Sequence, residues 1–150
     1  MDTFFNKSFS ARLGIAGLMI ALGSVPGASL AQNVFFGSGG TSNSAQNVTN
    51  QAFGYHALFS NNTGSANTAI GYQSLHSNTT GITNTAIGMN ALYSNTAGGG
   101  STAIGFDALF SNTTGIDNTA TGISALFYNT TGNYNTANGN HALLNNTIGS

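Results

Sequence analysis

NTAIGYQSLHSNTTGIT at residues 67–83 is followed at once by NTAIGMNALYSNTAGGG at residues 84–100, and the two stretches superimpose without a gap. The same 17-residue pattern runs back to NQAFGYHALFSNNTGSA at 50–66. It runs forward through STAIGFDALFSNTTGID at 101–117 and NTATGISALFYNTTGNY at 118–134 to NTANGNHALLNNTIGS at 135–150. A fixed period of this length, held without insertion, is the signature of stacked structural repeats. Seventeen residues before Asn50, the run Asn33-Val-Phe-Phe-Gly37 matches Asn50-Gln-Ala-Phe-Gly54 at the first, fourth and fifth positions. Residues 32–49 therefore read as a degenerate first repeat or cap, the usual fate of terminal repeats.

Five positions of the repeat do not vary across residues 50–150. The third is Ala, the fifth Gly, the ninth Leu, the twelfth Asn and the fifteenth Gly. Identity among repeats of one chain reports a demand that every level of a stack shares. Ala and Gly two residues apart follow the strand period, so Ala69 and Gly71, Ala86 and Gly88, and Ala103 and Gly105 are expected to face one tight interior. Leu75, Leu92 and Leu109 supply the one large core side chain of each turn. Asn61, Asn78, Asn95, Asn112, Asn129 and Asn146 open a Ser-Asn-Thr-Thr-Gly stretch whose chemistry is that of a turn, with Asn and Gly suited to left-handed φ. One turn reads as a strand over positions 1–6, a corner, a second strand over positions 7–11 and a polar loop over positions 12–17. The Gly, Thr and Asn content argues against a helical repeat. The fold expected is all-β, a parallel β-solenoid in which identical side chains stack as ladders about 4.8 Å apart and the Asn ladder bonds along the axis.

One Leu per 17 residues is a thin core, and an apolar stripe is left over. Position four is Phe53, Ile70, Ile87 and Ile104, then Thr121 and Asn138; it alternates with the inward residues and so faces out. Position ten is Phe59, His76, Tyr93, Phe110, Phe127 and Leu144, which either completes the core or joins that stripe. An outward apolar stripe marks a partner surface. Self-association as a homotrimer or a lateral fibre is expected, because free strand edges without a Lys or Glu nearby are otherwise unprotected.

Charge narrows the function. The bases are Lys7 and Arg12 and the acids Asp2, Asp107 and Asp117, so no permanent positive charge follows Arg12. Phosphate contacts need several Lys or Arg, which excludes nucleic acid as a partner and electrostatic attachment to anionic lipid. The chain has no cysteine, so disulfides and thiolate metal sites do not arise. Residues 1–31 follow the logic of an export signal: Lys7 and Arg12, the apolar run 13–22, then Pro26 and small residues at Ser29 and Ala31. Cleavage is expected after Ala31. The apolar run is about half of the roughly 20 residues a spanning helix needs, so this segment is not expected to anchor in a membrane.

Catalytic and metal chemistry find little support. Asp107 and Asp117 occupy positions seven and seventeen of one repeat, where neighbouring repeats carry other residues, so they read as surface carboxylates rather than an acid–base pair. His56 and His141 share position seven and His76 lies at position ten, with no third ligand in common for zinc. The Asp series of calcium-binding solenoids is missing. The sequons at Asn47, Asn61, Asn78, Asn112, Asn129 and Asn145 recur because the turn recurs. We expect no cofactor and no enzyme. Thr68, Thr85, Thr102, Thr119 and Thr136 form a one-per-turn ladder like those of ice-binding solenoids. Such proteins usually show two Thr ranks, whereas the companion position here is Ile or variable, so plain solenoid surface is the expectation for it.

Asn-Thr-Ala-Ile-Gly followed by Ala-Leu and Ser-Asn-Thr-Thr-Gly resembles two groups of surface fibres over residues 50–150. One is the head repeats of YadA-like trimeric autotransporter adhesins, which wind as a left-handed parallel β-roll in a trimer. The other, closer in wording, is the bacterial and phage tail-fibre-domain repeat proteins. The resemblance implies an exported adhesive head or fibre shaft, a trimeric assembly and a host-surface or glycan ligand. Both groups normally add a stalk with an anchor, or a trimerising chaperone domain, so the chain is expected to be a truncated product, a fragment or a small secreted relative. A repeat-ladder binding module for ice or glycan and a phage-derived tail-fibre segment are the alternatives.

Overall fold

The computed structural model describes residues 49–150, together with the backbone of two short strands, β1 (Leu18–Met19) and β2 (Val34–Phe36). The export signal expected over 1–31 and the degenerate repeat expected over 32–49 otherwise lie outside the described residues. Six further strands follow: β3 (Gln51–Phe53), β4 (Thr68–Ile70), β5 (Thr85–Ile87), β6 (Thr102–Ile104), β7 (Thr119–Thr121) and β8 (Thr136–Asn138). They lie in sequence order in one sheet, and each pairs in parallel with the next. Ala69 sits beside Ala86 and Thr85 beside Thr102, so the register is one repeat at every step. β2 pairs with β3 in the same 17-residue register, and β1 with β2 antiparallel. The protein is an all-β solenoid of 17-residue turns, and the described residues contain no helix.

Each strand covers only positions two to four of its turn. Alternation within it is plain: the central Ala is buried, and its neighbours at two and four point outward. The second strand expected over positions 7–11 is not formed. Position seven (Gln73 φ 53°, Asn90 φ 56°) and position nine (Leu75 φ 50°, Leu92 φ 53°) are left-handed, which no strand tolerates. The chain here coils tightly and tucks Leu into the interior. Hydrogen bonding between turns nevertheless continues around the circuit. Leu75 N–H donates to the carbonyl of Ala91 (3.0 Å), Thr79 N–H to that of Thr96 (2.9 Å) and Gln73 N–H to that of Tyr55 (2.9 Å). Irregular backbone is thus held by the same one-turn register as the sheet.

The core is a column of Ala at position three, mostly Ala at eight and Leu at nine. Ala69, Ala86, Ala103, Leu75, Leu92 and Leu109 are fully buried. The invariant glycines of position five do not join it. Gly71, Gly88 and Gly105 are half-buried, with φ of 131–136°. A Cβ on Gly88 would overlap the carbonyl of Gly105 one turn below. The crowding is along the axis, between turns, and not across the interior as the strand period led us to expect. Gly98 is invariant for a related reason, since a Cβ there would overlap Gly115 and the amide of Asn95. Neither the Asn of position twelve nor the Gly of position fifteen takes left-handed φ; within that loop the left-handed site is position seventeen (Thr83 φ 56°, Gly100 φ 69°, Asp117 φ 54°).

Candidate functional surface

The polar interior is the most strictly built part of the molecule. Asn78, Asn95, Asn112 and Asn129 are buried, and each side-chain amide donates twice. Asn95 Nδ2 reaches Asn78 Oδ1 (2.8 Å) in the turn above and the carbonyl of Gly98 (2.9 Å) in its own. Asn112 Nδ2 does the same with Asn95 Oδ1 (2.9 Å) and Gly115 (3.0 Å). The expected ladder therefore exists as a continuous amide chain from Asn61 to Asn146. A buried amide with every donor matched rigidifies what an unmatched one would break. The amides of Asn61, Asn78, Asn112 and Asn129, four of the sequon residues, are committed to it.

A second Asn ladder, at position one, escaped the sequence reading. Asn67, Asn84 and Asn118 are buried. Asn84 Nδ2 donates to the carbonyl of Gly98 (2.8 Å), and Asn84 Oδ1 accepts from the backbone of Ser101 (3.0 Å). The carbonyl of Gly98 thus receives an amide from each ladder. The signal was present, since position one is Asn in five of the six repeats and Ser101 in the other. Its meaning was hidden because Asn at the head of a strand passes for an ordinary loop residue.

The outer surface carries three apolar rows. The stripe expected at position four faces out: Ile70 and Ile104 are 39 % exposed, and Phe53 and Ile87 are half-buried. Position six, not singled out from sequence, is more open, with Tyr55, Tyr72, Met89, Phe106 and Ile123 between 44 % and 52 % exposed. Bulky apolar residues in five consecutive repeats were the available clue. Position ten is a ring stack. Phe59, His76, Tyr93, Phe110 and Phe127 follow one another at 5.0–5.4 Å between centroids, with planes within 12°. These rings cover one another's faces and present their edges. Partial burial and the neighbouring His56, 5.9 Å away, lower the pKa of His76.

Asp107 is half-buried and accepts a hydrogen bond from Asn90 Nδ2 (3.0 Å), while Asp117 is exposed near the turn of Gly100. The two carboxylates are not brought together by any contact. Among the described residues no three His, Asp or Glu side chains are grouped to hold a metal ion, and no helix is long and apolar enough to cross a membrane. Among the described residues Asn90 Oδ1 is the buried side-chain atom left without a partner. The chain matches no family model, no curated protein and no solved structure.

Proposed function

We propose that this protein is an exported structural and adhesive surface protein whose solenoid serves as the head or shaft of a fibre, without catalysis. The observation that supports this best is the repetition of exposed apolar side chains along a rigid rod. Rows four and six together open on the order of 600 Å², the upper end of what monomers leave uncovered. A second copy carries the same period, so two rods can mesh turn for turn, which a partner without that period cannot do. Homotrimer or lateral fibre assembly follows, with host-surface attachment through the outer ladders. Export rests on the leader expected over residues 1–31, and the localisation proposed is secreted or at the cell surface.

Light scattering on the purified protein, with circular dichroism on the same sample, tests assembly. A β-rich trimer or larger multiple is expected, and a charge placed in the most open row, Phe106→Lys, reduces it to the monomer. A β-rich monomer at all concentrations overturns self-association. N-terminal sequencing of protein secreted by a bacterial host tests export, with Gln32 expected as the first residue.

A further inference from the structure

The sheet face of the solenoid carries a row whose chemistry the assembly reading does not use. Thr68, Thr85, Thr102, Thr119 and Thr136 occupy position two of successive turns, in register and facing out. The protein contains a second Thr row for comparison, at position thirteen. There the hydroxyls of Thr79, Thr96, Thr113 and Thr130 are consumed, each donating to the carbonyl of the next turn at 2.9–3.1 Å. The position-two hydroxyls have no such bond. Among the described residues none of these five donates to or accepts from any protein group, so each faces solvent with its hydrogen-bonding capacity unspent.

Three further features bear on what such a row can hold. The companion row at position four lies two residues on, on the same face, so hydroxyl and methyl groups at position two alternate with aliphatic side chains; at Thr119-Ala-Thr121 both positions are hydroxylic. Neither row carries a charge. The strands pair in the same register at every step, so the two rows stay in line from turn to turn.

We propose that the position-two and position-four face binds ice, by holding a layer of water in a pattern that the crystal can continue. Each Thr offers one donor and two acceptors at a fixed point, repeated about every 4.8 Å, near the repeat of the ice lattice along its a axis. The largely aliphatic row beside it leaves neighbouring water bonded to water. Ordering water costs little where the protein groups are already rigid, and no charge on these rows imposes a competing hydration shell. A crystalline polysaccharide fits the same rod less well. Stacking a sugar needs an aromatic ring, and from Thr68 onward rows two and four of this face carry none. The proposal does not depend on export; it shares row four with the assembly surface, so ice binding belongs to copies whose row four is uncovered.

The test is thermal hysteresis, with inhibition of ice recrystallisation, measured on the purified folded protein. A freezing-point gap with faceted crystals is expected. Thr102→Lys, in the middle of the row, abolishes it, whereas Thr114→Lys, an exposed Thr outside that face, leaves it intact; circular dichroism verifies that both variants keep the β-rich spectrum. Should Thr102→Lys not fold, Thr102→Ser, which keeps the hydroxyl and removes the methyl, still lowers the activity. Folded wild-type protein without hysteresis overturns the proposal. So does equal loss with Thr114→Lys, and so does binding to microcrystalline cellulose with no effect on ice.

Discussion

Leu92 buries its side chain completely on a left-handed backbone, φ 53°, and the two facts oppose one another. Left-handed φ costs an L-residue about 1–2 kcal/mol, and burying Leu returns roughly 2–3 kcal/mol. The conformation persists because the Leu92 N–H is also tied to the carbonyl of Ala108 at 3.0 Å. This sets a sharp expectation. Leu92→Met keeps an unbranched Cβ and about the same volume, and costs less than about 1.5 kcal/mol in urea unfolding. Leu92→Ile, equal in volume, is branched where left-handed φ forbids it, and costs upwards of about 2 kcal/mol. A strand at this position would reverse that order, because Ile favours strands.

At the scale of the element, the ladders set the energetics, and each has a point where its rule is broken. Ser101 interrupts the position-one amides: its Oγ accepts from Asn118 N–H at 3.2 Å, against 2.9 Å for the Asn67–Asn84 step, and the carbonyl of Gly115 lacks the second amide that Gly98 receives. Ser101→Asn restores the missing bond, and a gain of about 1 kcal/mol in unfolding free energy is expected. His76 interrupts the carbocyclic stack between Phe59 and Tyr93. Its pKa is lowered by burial and then by His56, so the unfolded chain binds the proton more readily. Stability is therefore complete above the ordinary histidine value of about 6.5 and declines as pH falls from there through the lowered folded value. Thermal melts at pH 7.5 and 5 read this as a lower Tm at pH 5, and His76→Tyr, the residue of the next turn, shrinks the difference.

These same elements separate what the residues declared from what they concealed. The period, the Ala and Leu column, the Asn-twelve ladder and the outward stripe at position four follow from identity and alternation, which survive in one-dimensional text. The second strand was expected from the apolar run of positions eight to ten, but left-handed φ at positions seven and nine lets adjacent residues such as Ala91 and Leu92 both turn inward, which a strand cannot do. The polar residues at position seven, Gln73, Asn90 and Asp107, were the only visible trace of it. Gly71 and Gly88 declared a tight spot without its direction, which lies along the axis. The Thr rows differ only in what their hydroxyls bond to, and that is decided by neighbours one turn away.

For the whole molecule, stability is a sum over turns and the contacts between them. Leu143 is 49 % exposed, whereas the Leu of the five turns above it is fully buried. Native-state hydrogen exchange will therefore be graded. The amides of residues 135–150 exchange fastest, and those of β5 and β6 exchange last. Uniform protection along the rod would mean that the turns unfold as one unit.

The exactness of the 17-residue register has a consequence at the level of the gene. Because Thr85 meets Thr102 just as Thr68 meets Thr85, loss or duplication of 51 nucleotides anywhere in the array rejoins every ladder to a matching partner. Loss of 48 would misalign them all at once. Such a chain can be lengthened or shortened by recombination between its own repeats, always in whole steps and without any repair elsewhere. Its reach from a surface is then a quantity that inheritance can count.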